Sequence, residues 1–192
     1  MRNARSGRRA VRDDPAVSRR TGLIVSAVAS VLLLLAMSPA ENRMKDAGGP
    51  GIVPFEVTGG QHRADEIMAE WGEDGKDAAR ESLWIDYGFL VAYGTFLTLA
   101  LRAARDAAVK RGWHRLEALG ATAIWFGAIS AGFDALENAC LLLTLGGAGA
   151  ATPVMATIFA SLKFLFLAGT LAYLLAALAT RLLGRGSAEP AT

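Results

Sequence analysis

The chain has 192 residues, 53% of them hydrophobic, with a mean hydropathy of +0.32 and a formal net charge of +2. So apolar a composition excludes an ordinary charged soluble domain, and the length excludes two sizeable soluble cores. A small helical membrane protein is the class that remains.

Arginines at positions 2, 5, 8, 9, 12, 19 and 20 precede the first apolar stretch, Thr21 to Ser38. Basic residues collect on the cytoplasmic side of spans, so residues 1–20 are predicted to be a cytoplasmic tail touching anionic lipid rather than a nucleic-acid arm. The apolar stretch followed by Ser38-Pro39-Ala40 also has the outline of a cleavable signal, and Ser18-Arg19-Arg20 faintly that of a twin-arginine one. Three further apolar stretches favour an uncleaved first helix.

Residues 39–82 form the predicted first extracytoplasmic loop. Its first part, Pro39 to Gly60, is rich in glycine and proline and reads as a flexible connection. Ala64, Ile67, Met68 and Trp71 then recur at i, i+3, i+4 and i+7, the pattern of a short amphipathic helix lying on the outer surface or over the bundle mouth. It serves either as a lid over a site or as a plain interfacial anchor. Gly72 and Gly75 interrupt it, and Asp74 is the expected N-cap of a run from Lys76 to Ser82 that leads into the second span. His62 and Glu66 have i, i+4 metal-ligand spacing, but a solvated helix face accounts for them and no metal site is expected.

The second span, Leu83 to Leu101, carries Asp86, Phe89, Leu90 and Tyr93 along one face, and Arg102, Arg105, Lys110, Arg111 and Arg115 follow it. The third, Leu119 to Leu145, holds Asp134, Glu137 and Asn138 at i, i+3 and i+4, so one helix face bears two acids and an amide at membrane depth. Such residues normally face a partner or a wet cavity rather than lipid, because each costs roughly 2.5–3.5 kcal/mol near the bilayer centre. Ala123, Gly127 and Ala131 form one small-residue series in this span, and Ala128, Gly132 and Ala135 nearly another, allowing close helix approach. Cys140 is the only cysteine, which excludes an internal disulfide and a thiol-based metal centre, and His62 and His114 fall on opposite sides of the membrane, which argues against paired haem ligation. No cofactor is expected. An uncharged loop leads to the fourth span, Val154 to Leu183, with Lys163 two turns in and Phe159, Phe164 and Phe166 around it.

The expected fold is thus an all-α integral membrane protein: a four-transmembrane-helix bundle over residues 21–183, with both termini, including residues 184–192, cytoplasmic. The second span enters from the outside, the third exits there and the fourth enters there again, which groups Asp86, Glu137 and Lys163 at a similar depth in the outer half with Asp134 a turn deeper. Three acids then face one lysine, so either a carboxyl keeps its proton or a cationic group enters, with Asn138 and Tyr93 as hydrogen-bonding companions. The candidate pocket is Asp86, Tyr93, Asp134, Glu137, Asn138 and Lys163; Ile67, Met68 and Trp71 are the candidate lid or interface.

In chain order, Phe55-Glu56, the helix ending at Trp71-Gly72, Asp86-Tyr87 with Phe89 and Tyr93, Asp134-Ala135-Leu136-Glu137-Asn138, and Lys163-Phe164 resemble a group of small bacterial four-span membrane proteins. The likeness spans residues 20–183 and implies a shared architecture and site; it supplies no substrate. The expected location is the cytoplasmic (inner) membrane. Two functions fit these residues. One is a pocket that binds, moves or converts a lipid-like or cationic small molecule, with enzymatic proton transfer as one form of it. The other is an assembly or accessory subunit whose charges fix helix pairing, within a homo-oligomer or on a membrane-protein partner. No phosphate loop, nucleophile elbow or nucleic-acid module is present.

Overall fold

The computed structural model describes residues 15–183. The arginines at positions 2, 5, 8, 9 and 12, and residues 184–192, lie outside the described residues. Helix α1 (Pro15–Asp46) is followed by the short α2 (Ile52–Glu56), then α3 (Gln61–Lys110), α4 (His114–Ala123), α5 (Phe126–Leu145) and α6 (Ala151–Leu183), with no strand among the described residues. Four helical stretches are long and apolar enough to cross a membrane: α1, α3, α4 with α5, and α6. The 32 residues of α1 reach about 48 Å at 1.5 Å per residue, so it projects beyond a hydrocarbon layer of about 30 Å. Its flank is apolar where it meets the surroundings: Val25, Leu32 and Leu35 are 60%, 60% and 61% exposed. Leu165 and Leu175 on α6 repeat this at 65% and 63%, an arrangement that suits lipid and not water.

Three expectations for residues 39–82 are corrected. First, α1 does not stop at Ser38 but continues through Pro39 to Asp46, because Ala40 and Met44 bury fully beyond the proline and offset its missing hydrogen bond. Second, the break before the second span falls at Gly72 alone, whose φ of +57° and ψ of −160° belong to a region open only to glycine, while Gly75 stays helical. Third, Asp74 caps nothing; its Oδ1 accepts a 2.8 Å hydrogen bond from Arg43 Nη2, tying α3 to the end of α1.

The stripe ending at Trp71 also turns out to be core. Ala64 and Ile67 are fully buried and Trp71 is 1% exposed, packed with Met44, Phe55, Leu141, Leu145 and Ala156. Residues 61–71 therefore fold over the bundle end where α1 and α5 finish and α6 begins, leaving no apolar face for lipid. Met68 packs at the edge of the same cluster, partly buried.

The third span carries an interruption that no sequence breaker announces. Between α4 and α5 the chain tightens at Ile124 and Trp125, where Trp125 N–H bonds to Thr122 O at 3.2 Å, an i to i+3 turn that does not end the span. Close approach of α3 and α5 explains the first small-residue series: a Cβ on Gly127 would stand 2.9 Å from Leu97 Cβ, and one on Gly94 2.8 Å from Ala131 Cβ. At the opposite end of the bundle Arg19 pairs with Asp106, and Leu23, Arg111 and Arg181 border one cavity, so the start of α1, the α3–α4 connection and the end of α6 lie together.

Candidate functional site

Helical spacing brings Asp134, Glu137 and Asn138 to one face of α5, and α6 meets that face with Lys163. Lys163 Nζ lies 2.7 Å from Glu137 Oε2 and 3.0 Å from Asp134 Oδ1. The Glu137 side chain is wholly buried, and neither of its oxygens has an aligned hydrogen-bond donor, so its contact with the ammonium is ionic. Tyr93 donates its hydroxyl to Asp134 Oδ2 at 2.7 Å, and Asn138 Nδ2 donates to Asp86 Oδ2 at 2.6 Å. The α5 carboxylates and amide are thus each tied to α3 or α6, which is how these three polar groups stay inside an apolar bundle.

All six residues of the expected pocket come together, and a seventh joins them. Glu56 Oε2 lies 3.5 Å from Lys163 Nζ with its side chain 13% exposed. The sequence signal was an apolar run, Ile52-Val53-Pro54-Phe55, ending in an acid inside an otherwise glycine- and proline-rich connection. Three tethers hold α2 down: Glu41 Oε2 accepts the Ile52 N–H at 3.0 Å, Trp71 Nε1 donates to Pro50 O at 2.6 Å, and Thr157 donates to Glu56 O at 3.2 Å. Phe55 adds an apolar anchor, its ring centroid 4.9 Å from that of Trp71.

A cavity of about 630 Å³ adjoins this cluster. Glu56, Asp86, Tyr93, Asp134, Asn138 and Lys163 form its polar wall, and Glu137 stands behind Lys163, outside the lining. Apart from Ser30 and Ser82, the remainder is apolar, from Ala27, Leu34 and Met37 of α1, Phe89 and Leu97 of α3 and Leu167 of α6. Of the expected lid, Ile67, Met68 and Trp71 do not line the cavity; Ile52 and Val53 of α2 do, and Trp71 acts on them through Pro50 and Phe55. Phe164 sits at the rim with its ring centroid 4.9 Å from Lys163 Nζ, a cation–π contact. Phe159 and Phe166 stack on Phe133 instead of enclosing the lysine.

Side access to the cavity follows from helix packing. Helix α1 packs along α3 without extended contact to α6. Val31 and Leu34 of α1 and Phe164 of α6 line the cavity yet remain 57%, 55% and 47% exposed, which places its mouth between those two helices.

Fold and site together define an all-helical protein with four membrane-length apolar helices and a buried ionic cluster at the polar end of an apolar cavity. No family model, curated protein or solved structure matches the chain.

Proposed function

We propose that this is a bacterial inner-membrane protein that binds a single-chain amphiphile with a cationic or hydrogen-bond-donating headgroup, admitted sideways from the bilayer between α1 and α6. The observation that carries the reading is the amphipathic cavity itself. Its volume is in the range of small-molecule sites and holds about 20 non-hydrogen atoms at roughly 30 Å³ each, a headgroup with one alkyl chain. Its polar wall and the residue behind it bring four carboxylates, Glu56, Asp86, Asp134 and Glu137, against one ammonium, Lys163. That surplus of negative charge favours a donor and disfavours an anion. The chain's likeness to small bacterial four-span proteins supports the inner membrane as its place, and the basic residues at one end support the orientation.

Binding of dodecylamine, dodecanol and dodecyl sulfate to the purified protein in a nonionic detergent tests the reading. Dodecylamine should bind most tightly and dodecyl sulfate least. Asp86→Asn should weaken dodecylamine by about tenfold or more, the usual loss when a charged hydrogen bond is replaced by a neutral one. Leu34→Trp, which fills the mouth, should block all three. Equal binding of the amine and the sulfate, untouched by Leu34→Trp, would remove the proposal.

Orientation rests on the basic residues gathered at one end of the bundle. In a Cys140→Ser background, a cysteine replacing His62, whose side chain is 91% exposed, should react with an impermeant maleimide on intact cells. A cysteine replacing Lys110 should react only after permeabilisation. The reverse pattern inverts the topology.

A second reading, assembly, is favoured by one observation. The second small-residue series lies open: Ala128, Gly132 and Ala135 line a shallow cavity of about 510 Å³ beside Gly94 and Thr98, on the flank away from the ionic cluster. A membrane helix of a partner or of another copy fits such a surface. Disulfide crosslinking from a cysteine at Gly132 reports on it.

A further inference from the structure

The cleft between α1 and α6 continues past the acidic cavity towards the opposite end of the bundle, where its chemistry reverses. One turn beyond Ala27 and Phe96 it reopens at Leu23 and Ala100 as a cavity of about 320 Å³. Ala103, Ala104 and Ala107 of α3 make the floor, Leu174 and Leu178 of α6 one wall, and Arg111, Trp113 and Arg181 the rim. No acid lines it.

Local sequence chemistry builds the rim. Helix α3 ends at Arg111-Gly112-Trp113, with Gly112 in the left-handed region at φ +68°. Gly112 N–H bonds to Val109 O at 3.1 Å and Trp113 N–H to Ala108 O at 3.0 Å, the paired bonds of a glycine-terminated helix. This turn brings Trp113 back to the groove beneath Arg111, whose guanidinium carbon lies 5.1 Å from the ring centroid. Arg181, in the last turn of α6, faces the same cavity. Among the described residues neither arginine has a carboxylate partner, in contrast to Arg19, Arg43, Arg63 and Arg80.

We propose that this arginine end of the α1/α6 cleft binds an anionic phospholipid, its phosphate held by Arg111 and Arg181 and one acyl chain laid along the alanine floor. Guanidinium groups match a phosphate with paired N–H donors, a tryptophan at the rim suits the headgroup region, and about 320 Å³ gives room for a stretch of one acyl chain. Charge fixes the sense of binding: the acidic cluster at the far end of the cleft repels the phosphate that the arginines attract. The site stands independently of the amphiphile cavity.

Native mass spectrometry of the full chain, released from detergent with palmitoyl-oleoyl phosphatidylglycerol or phosphatidylcholine, tests it. Wild-type protein should retain phosphatidylglycerol in preference. Arg111→Gln with Arg181→Gln should lower that retention roughly 30-fold, about fivefold for each arginine near a lipid surface. Arg115→Gln, which removes an exposed charge at the same end but outside the groove, should leave it unchanged. Leu178→Trp keeps both arginines and fills the groove, and it should lose the lipid as well, which covers the case in which the double arginine variant does not fold. Glycerol phosphate at millimolar concentration should fail to compete. Absence of a preference over phosphatidylcholine, equal loss in Arg115→Gln, full retention in Leu178→Trp, or competition by glycerol phosphate would each overturn the proposal.

Discussion

Replacing Lys163 with methionine is expected to destabilise the protein by about 3–5 kcal/mol, the range for breaking a buried pair by removing one partner. Among the described residues the lysine is the only cation paired with Glu56, Asp134 and Glu137, at 3.5, 3.0 and 2.7 Å, and its loss leaves those acids uncompensated in an apolar setting. Glu137→Ala should cost less than Lys163→Met, because Asp134 and Glu56 still hold the ammonium. The double variant should cost less than the sum of the two, with a coupling of about 0.5–3 kcal/mol. A double-mutant cycle from reversible unfolding in mixed micelles measures this. Additive effects within error would show that α5 and α6 do not bring these side chains together, and the ionic wall of the cavity would go with them.

Which parts of this arrangement are legible in the sequence depends on how local their causes are. Four long apolar helices are legible because hydropathy and helical rise act within a segment, and the face shared by Asp134, Glu137 and Asn138 follows from 3.6-residue periodicity alone. Pairing of that face with Asp86, Tyr93 and Lys163 follows from alternating direction through a membrane, since residues near the same ends of antiparallel spans meet. Glu56 escapes such reasoning. It lies on a five-residue helix outside every span, and its position is set by Glu41, Trp71 and Thr157, residues 15 to 101 positions away in sequence. The course through Pro39 escapes it too, because a local breaker is overridden by burial of Ala40 and Met44. Glycine spacing alone cannot tell Gly72 from Gly75 as the bend; the fold decides it, since a Cβ at Gly75 would stand 2.6 Å from Trp71 Cβ while Gly72 faces open space and takes the positive φ. Asp74 follows the same rule: a local capping role gives way to the more distant Arg43.

Trp71→Ala should cost about 3–5 kcal/mol, the range for deleting a large buried aromatic side chain. Trp71 is 1% exposed, packs on Phe55 and donates to Pro50 O, so the change removes the apolar anchor and one of the three tethers of α2 together. Loosening α2 withdraws Glu56 from Lys163, and dodecylamine binding should weaken in parallel with stability. Trp71→Phe keeps most of the packing and loses only the indole N–H; leaving the Pro50 carbonyl without its donor should cost about 1–3 kcal/mol. Fluorescence separates burial in protein from contact with lipid. With the other tryptophans changed to phenylalanine, Trp71 should emit at short wavelength and resist quenching by brominated lipids. Trp84 and Trp125, which are 66% and 59% exposed on the apolar flank, should be quenched when each is the sole tryptophan. Strong lipid quenching of Trp71, or a Trp71→Ala variant within 0.5 kcal/mol of wild type, the range of ordinary surface changes, would show that residues 61–71 lie on the membrane and do not hold α2 against the cluster.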